Sequence, residues 1–310
     1  MIVYRELASV ERELGFSAKT LYGISNHISG HYHAVEIPKR DGSCRTLSVP
    51  DEILKKVQRA IAEKLLAYEP VSRYAKAYKI ASGIKKNAHP HVGKAKLLKL
   101  DIRHFFDSIL YSTVKEKVFP AEKYSESIRV LLCMLCYYND VLPQGAPSSP
   151  IITNIIMRDF DELVGEWCRE RGITYTRYCD DMTFSGDFDE KSVIAFVSSE
   201  LKGMGFYLNQ QKTAVIPASK RQTVTGVVVN EKLNVSSDYK RKIRQEVFYC
   251  QRFGVEEHIK HNNLNCTPEQ YLIKLLGKIN YVLQICPEDD NFKKYRKTVS
   301  TLTNRNKDQV

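Results

Sequence analysis

The chain has 310 residues, of which 43% are hydrophobic and 27% charged, a balance that supports a buried core and excludes a largely disordered chain. The longest apolar run, residues 130–138, falls well short of the ~20 residues needed to span a bilayer. The first residues hold acids rather than an apolar leader, so the expected location is the cytoplasm, with no membrane partner.

In chain order, residues 1–30 read as helical, with Leu7, Val10, Leu14, Leu21, Ile24 and Ile28 near helical spacing. Residues 33–50 read as a hairpin, because two strand-like runs flank Arg40-Asp41-Gly42-Ser43 and Asp-Gly is a strong turn signal. Asp51 is placed to cap a helix reaching about residue 68. Residues 95–102 read as a strand. Ser148-Ser149-Pro150 starts a helix expected to continue to about residue 171, with proline in its first turn. Residues 173–186 read as a second hairpin, 192–204 as a helix, and 206–216 and 223–235 as strands. From Asp238 the chain reads as helical, basic and rich in tyrosine.

Lys and Arg number 47 against 36 Asp and Glu, a net charge of +11, which favours a polyanionic partner. Residues 1–100 and 235–310 are net basic, while residues 101–234 are net acidic. That pattern suits two basic lobes gripping nucleic acid around a carboxylate-rich centre. The eight cysteines are scattered and no export signal accompanies them, so reduced thiols are expected. Cys133 and Cys136 have CxxC spacing within an apolar run and read as packing residues of a buried helix. His27, His31 and His33, and the pair His258 and His261, lack partners to complete a metal set and read as surface or packing histidines.

Asp180-Asp181 interrupts two β-prone runs. Neighbouring side chains of a continuous strand point to opposite faces, so only a tight turn brings both carboxylates to one place. Such a tip suits a metal site, with an ordinary exposed turn as the alternative. Asp101 ends the apolar strand LLKLD. If that strand lies beside the Asp-Asp hairpin, three carboxylates could bind two hard cations about 4 Å apart, as in phosphoryl transfer. The third element is the loop LPQGAPSSP at residues 142–150, where Gly145 and Ala146 permit close backbone approach and Gln144 offers an amide.

In order, LKLDIRHFFDSI, LPQGAPSSP, YCDD and LNQQKT resemble the polymerase motifs of the reverse transcriptases, and the hairpin IPKRDGSCRTLSVP resembles that family's fingers motif. The resemblance covers roughly residues 35–235. Asn87-Ala88-His89-Pro90-His91 and Val224-Thr225-Gly226 are similar to the NAxxH and VTG patterns of the retron enzymes.

The resemblance implies an α+β right-hand polymerase with a ferredoxin-like antiparallel palm sheet. Residues 1–34 would form an N-terminal helical extension, 35–78 and 110–148 the fingers, 79–109 and 149–234 the palm, and 235–310 a basic helical thumb. It implies a catalytic triad of Asp101, Asp180 and Asp181, holding two Mg²⁺ ions (or Mn²⁺) with the Ile102 carbonyl. Lys39, Arg45, Phe106, Gln144 and Lys212 match positions for the dNTP: Lys39 and Arg45 for the triphosphate, Phe106 as ribose gate, Gln144 against the nucleotide, and Lys212 near the pyrophosphate. Asn87, His91, Val224, Thr225, Gly226, Lys240, Arg241 and Arg244 are the expected RNA contacts.

The implied reaction copies part of a cognate structured noncoding RNA from an internal guanosine 2′-hydroxyl, giving branched RNA-linked DNA. The implied partners are that RNA, its DNA product, a separate effector protein in defence against phage, and host RNase H, since a chain ending at residue 310 leaves no room for such a domain. The alternatives are a non-catalytic RNA-binding scaffold of a toxin–antitoxin complex, and a reverse transcriptase of a group II intron or diversity-generating element.

Overall fold

A computed structural model of the chain describes residues 3–38, 42 and 44–307. The helical reading of residues 1–30 resolves into two helices, α1 (Leu7–Leu14) and α2 (Ala18–Asn26). Gly15 stops α1 with a φ of 79°, a left-handed conformation that glycine adopts without a Cβ penalty, and the Ser17 side chain caps α2 by accepting from the Thr20 N–H. The first hairpin is present: β1 (Tyr32–Pro38) pairs antiparallel with β2 (Cys44–Pro50), placing Ile37 opposite Arg45. Lys39, at its tip, lies outside the described residues. Asp51 accepts from the Leu54 N–H and caps α3 (Glu52–Ala60), whose backbone widens into a π-helical segment at Ile61–Leu66.

The chain continues through α4 (Ile84–Ala88), β3 (Lys96–Asp101), α5 (Tyr111–Lys117) and α6 (Glu126–Cys136). Cys133 and Cys136 lie buried on α6, where burial pushes the Cys136 thiol up to about 12. The helix expected over residues 148–171 is instead α7 (Ser149–Ile156) and α8 (Arg158–Glu170). Met157 separates them with a ψ of −2°, off the helical value, while its N–H still donates to the Thr153 carbonyl and its carbonyl accepts from the Asp161 N–H. The second hairpin is β4 (Thr174–Tyr178) with β5 (Asp181–Gly186), followed by α9 (Glu190–Gly203).

The strands expected over 206–216 and 223–235 are shorter, namely β6 (Ala214–Pro217), β7 (Thr223–Val224) and β8 (Val227–Val228). Four helices complete the chain: α10 (Ser237–Phe253), α11 (Val255–His261), α12 (Pro268–Ile285) and α13 (Asp290–Lys307).

One four-stranded sheet has the order β4-β5-β3-β6, with β4 and β5 antiparallel. That order makes β3 and β5 neighbours, as the position of the acids in the sequence anticipates. The chain divides into two compact units, one of residues 1–83 and 98–215, the other of residues 84–97 and 216–310. In the first unit Leu98, Leu100, Ile152, Phe160, Phe184 and Phe206 belong to one buried core. In the second, Leu97, Val224, Val227, Ile243, Leu275 and Ile279 belong to another. Among the described residues, no helix is long and apolar enough to cross a membrane.

Candidate active site

β3, whose Leu98 and Leu100 belong to the first unit's core, ends at Asp101, whose residue surface is only 4% exposed. A carboxylate so enclosed requires partners. Lys212 supplies one, its Nζ lying 2.7 Å from Asp101 Oδ2. The backbone fixes the same point from two sides: the Asn209 N–H donates to the Asp101 carbonyl at 2.8 Å, and the Ile102 N–H donates to the Asp180 carbonyl at 3.1 Å.

The Asp-Asp pair sits at the junction of a two-residue turn and β5, at the tip of the β4–β5 hairpin. Tyr178 pairs with Asp181, so Cys179 and Asp180 form the turn. Cys179 carries a φ of 61°. Two-residue hairpin turns need this left-handed conformation, and a side chain there costs roughly 1–2 kcal/mol. The tight turn places Asp180 beside the end of β3 while Asp181 begins β5.

Asp181 opens onto the cleft, yet its pKa is pushed up to about 6. Loss of water around it is the first cause, and the charges of Asp180 and Asp101 follow. Lys99 on β3 offsets part of this, although burial lowers its own pKa.

Asp101, Ile102, Asp180, Asp181, Phe106, Gln144, Arg45 and Lys212 all line one cleft of about 1400 Å³. The Phe106 ring meets Phe105 edge-on at 5.6 Å between centroids, and its backbone carbonyl accepts from the Leu142 N–H at 3.3 Å. That second bond ties the motif after β3 to the loop bearing Gln144. Gly145 packs directly against the backbone of Ser48 on β2, where a Cβ would collide with the Ser48 carbonyl. The close approach expected of this loop is therefore to the hairpin's own backbone.

The expected RNA contacts in the second unit divide in two. Val224 pairs with Val227, and Thr225 and Gly226 form the turn between them with φ of 46° and 81°. Positive φ at both positions is the signature of a type I′ hairpin, so the VTG triplet is a turn rather than a continuous strand. Asn87, His91 and Val224 are buried, and Asn87 Nδ2 lies 3.4 Å from Thr225 Oγ1 in the turn. In this structure those three side chains are covered by protein. Gly226 is exposed and Thr225 partly so. Lys240 Nζ lies 3.0 Å from Asp289 Oδ2, Arg241 pairs with Asp238 at 2.8 Å, and Arg244 is exposed.

Sequence reading missed a set of buried polar residues behind the turn. Arg177 and Asp161 form an ion pair at 2.6 Å with neither side chain exposed, and Asn154 and Tyr175 bond to it. A charged residue inside a β-prone run was the available signal.

Among the described residues, no three His, Cys, Asp or Glu side chains form a closed metal-ligand group. The donor chemistry nevertheless suits a hard cation: three carboxylates share one cleft, and the charges of Asp180 and Asp101 add to the burial that raises the pKa of Asp181.

Residues 37–229 match the family described as reverse transcriptase (RNA-dependent DNA polymerase). The chain is 32% identical to the retron Mx65 reverse transcriptase of Myxococcus xanthus, over 92% of this chain and 70% of that protein. It is 34% identical to the retron Ec83 reverse transcriptase of Escherichia coli, over 70% of this chain and 75% of that one. A solved structure of apo telomerase from Candida tropicalis aligns with 96% of this chain and 63% of its own, at a TM-score of 0.47 and 13% identity.

Proposed function

The chain belongs to the reverse transcriptases, within the retron group, and we propose that it copies part of its own structured noncoding RNA into branched RNA-linked DNA from an internal guanosine 2′-hydroxyl. It is an RNA-directed DNA polymerase with the α+β right-hand fold of that family. The fingers are assigned to residues 35–78 and 110–148, the palm to 79–109 and 149–234, and the thumb to 235–310.

The observation that carries the mechanism is the meeting of Asp101, Asp180 and Asp181 in one cleft with Arg45, Gln144 and Lys212. The three aspartates, with the Ile102 carbonyl, would hold Mg²⁺ or Mn²⁺. When bound, two such ions activate the attacking hydroxyl and offset charge on the leaving pyrophosphate. Arg45 offers the triphosphate a forked pair of donors. Phe106 fills the space beside the sugar, so that a ribose 2′-hydroxyl would clash with its ring. Gln144 faces the incoming nucleotide. Lys212, whose hydrogen bond to Asp101 raises its pKa, keeps a proton available for pyrophosphate.

Thr225, Gly226, Lys240, Arg241 and Arg244 are assigned to holding the RNA in one register. Recognition of a single structured RNA rests on loops, ends and shaped stems rather than uniform helix. Defence against phage, through a separate effector protein, is the proposed setting, with host RNase H removing the template and the cytoplasm as the location. Sequencing the nucleic acid that copurifies with the protein tests this reading. DNA joined to one RNA through a 2′–5′ branch is the expected product, and linear DNA from many templates would contradict it.

A further inference from the structure

The buried cluster behind the catalytic turn has no part in the mechanism above. Arg177 lies on β4, two residues before the turn, and is fully enclosed. Its Nε and Nη2 bond the two oxygens of Asp161 at 2.8 and 2.6 Å. Tyr175 donates its hydroxyl to the same carboxylate at 2.8 Å. Arg177 Nη2 also reaches Asn154 Oδ1 at 3.3 Å, and Asn154 Nδ2 donates onward to the Ala77 carbonyl at 2.9 Å. The remaining bond leads to the active site: Arg177 Nη1 donates to the Cys179 carbonyl at 2.8 Å.

That carbonyl belongs to the peptide joining Cys179 to Asp180. It sits at the residue whose left-handed φ makes the turn possible. A peptide held at its oxygen cannot rotate freely, so the bond constrains the backbone from which the Asp180 side chain departs. Stability alone does not explain the arrangement. Removing two charges from water is costly, and apolar residues of similar volume often replace a buried ion pair without loss. An apolar pair would leave the Cys179 carbonyl without this donor.

We propose that Arg177, oriented by Asp161 and Asn154, is a positioning residue that fixes the Cys179–Asp180 peptide and thereby aims the Asp180 carboxylate into the cleft. The inference rests on the reading of Asp180 as a metal ligand. Misplacing a reacting group by about 1 Å can cost ~100-fold in rate, so loss of the tether should reach the chemical step while leaving RNA binding alone.

Two variants test this in the full chain. Arg177→Lys keeps the charge facing Asp161 but not the fork that reaches Cys179. Asp161→Leu combined with Arg177→Met replaces the pair with apolar bulk. Each is measured for thermal melting, RNA binding, Mn²⁺ binding by electron paramagnetic resonance, and single-nucleotide extension. The expected result is a folded protein with unchanged RNA affinity, weaker Mn²⁺ binding by about tenfold, and kcat lower by about 10–100-fold with little change in the dNTP KM. Arg177→Lys decides the matter if the apolar pair does not fold. A folded variant with the original Mn²⁺ affinity and kcat overturns the proposal. Asp180→Asn, measured alongside, separates the two claims: should it keep both Mn²⁺ binding and extension, the metal assignment itself is wrong.

Discussion

Lys212 Nζ stands 2.7 Å from Asp101 Oδ2, a cation set against the most enclosed of the three aspartates that line the cleft. The lysine side chain is 56% exposed and the aspartate only 6%. The pair thus faces the cleft from one side and the core from the other. Solvent screens such a bond, so its worth to stability is small, and its place beside the carboxylates points to the reaction instead.

Replacing this lysine checks that role. Lys212→Gln should lower single-nucleotide turnover by about 100-fold, the scale of general acid catalysis, with RNA binding retained. Rapid-quench extension measures it, and undiminished turnover would leave Lys212 as a surface charge.

Sugar selection is assigned to Phe106, which lines the cleft five residues after Asp101. Phe106→Ala should raise the ratio of rNTP to dNTP incorporation. Competition between the two substrates in one extension reaction reads the ratio directly. An unchanged ratio, in a variant that still polymerises, would make the ring a packing residue only.

Gly145 carries no side chain because the Ser48 backbone occupies the space a Cβ would need. Gly145→Ala should therefore destabilise the protein by about 1–3 kcal/mol, the range for overpacked sites, and displace Gln144 with its loop. Chemical denaturation gives the first effect, and a raised dNTP KM would report the second.

The places of Asp101, Asp180 and Asp181 at a strand end and a turn were legible in the sequence because strand alternation and turn chemistry are local. LLKLD is an apolar run ending in an acid, and adjacent acids between β-prone runs demand a turn. Their meeting follows from the sheet order β4-β5-β3-β6, which the motif resemblance anticipates and alternation alone cannot specify. The Arg177–Asp161 pair was not legible, since it joins β4 to α8 and no local pattern links the two. The helix break at Met157 was missed because apolar residues keep helical spacing on both sides of it. The VTG segment was read as a strand because two β-branched residues dominate it, while its identity as a turn depends on backbone angles at Thr225 and Gly226.

The second unit has its own pH sensitivity. His258 is buried, with Nε2 3.0 Å from the Tyr271 hydroxyl and Nδ1 3.4 Å from Asn262 Nδ2. Burial is the main cause holding its pKa below the usual 6.5; Glu246 opposes the shift, and His261 and Lys278 add to it. The folded state then resists a proton that the unfolded chain accepts. The stability linked to His258 is complete above pH 6.5 and is lost as the pH falls through the lower folded-state value. Denaturation from pH 8 to pH 5 should show this loss, and His258→Gln should flatten the profile. Equal slopes in the two proteins would assign the pH dependence to other groups.

The central claim is that one carboxylate cleft performs DNA synthesis on an RNA template. It is tested most directly by measuring dNTP incorporation with Mg²⁺ and the copurified RNA, for the wild type and for Asp180→Asn. The substitution removes one charge and nearly keeps the shape, and RNA binding should survive because it is assigned to basic residues outside the cleft. The account predicts DNA synthesis by the wild type and none above background by a variant that binds RNA equally well. Near-normal incorporation by Asp180→Asn would contradict it.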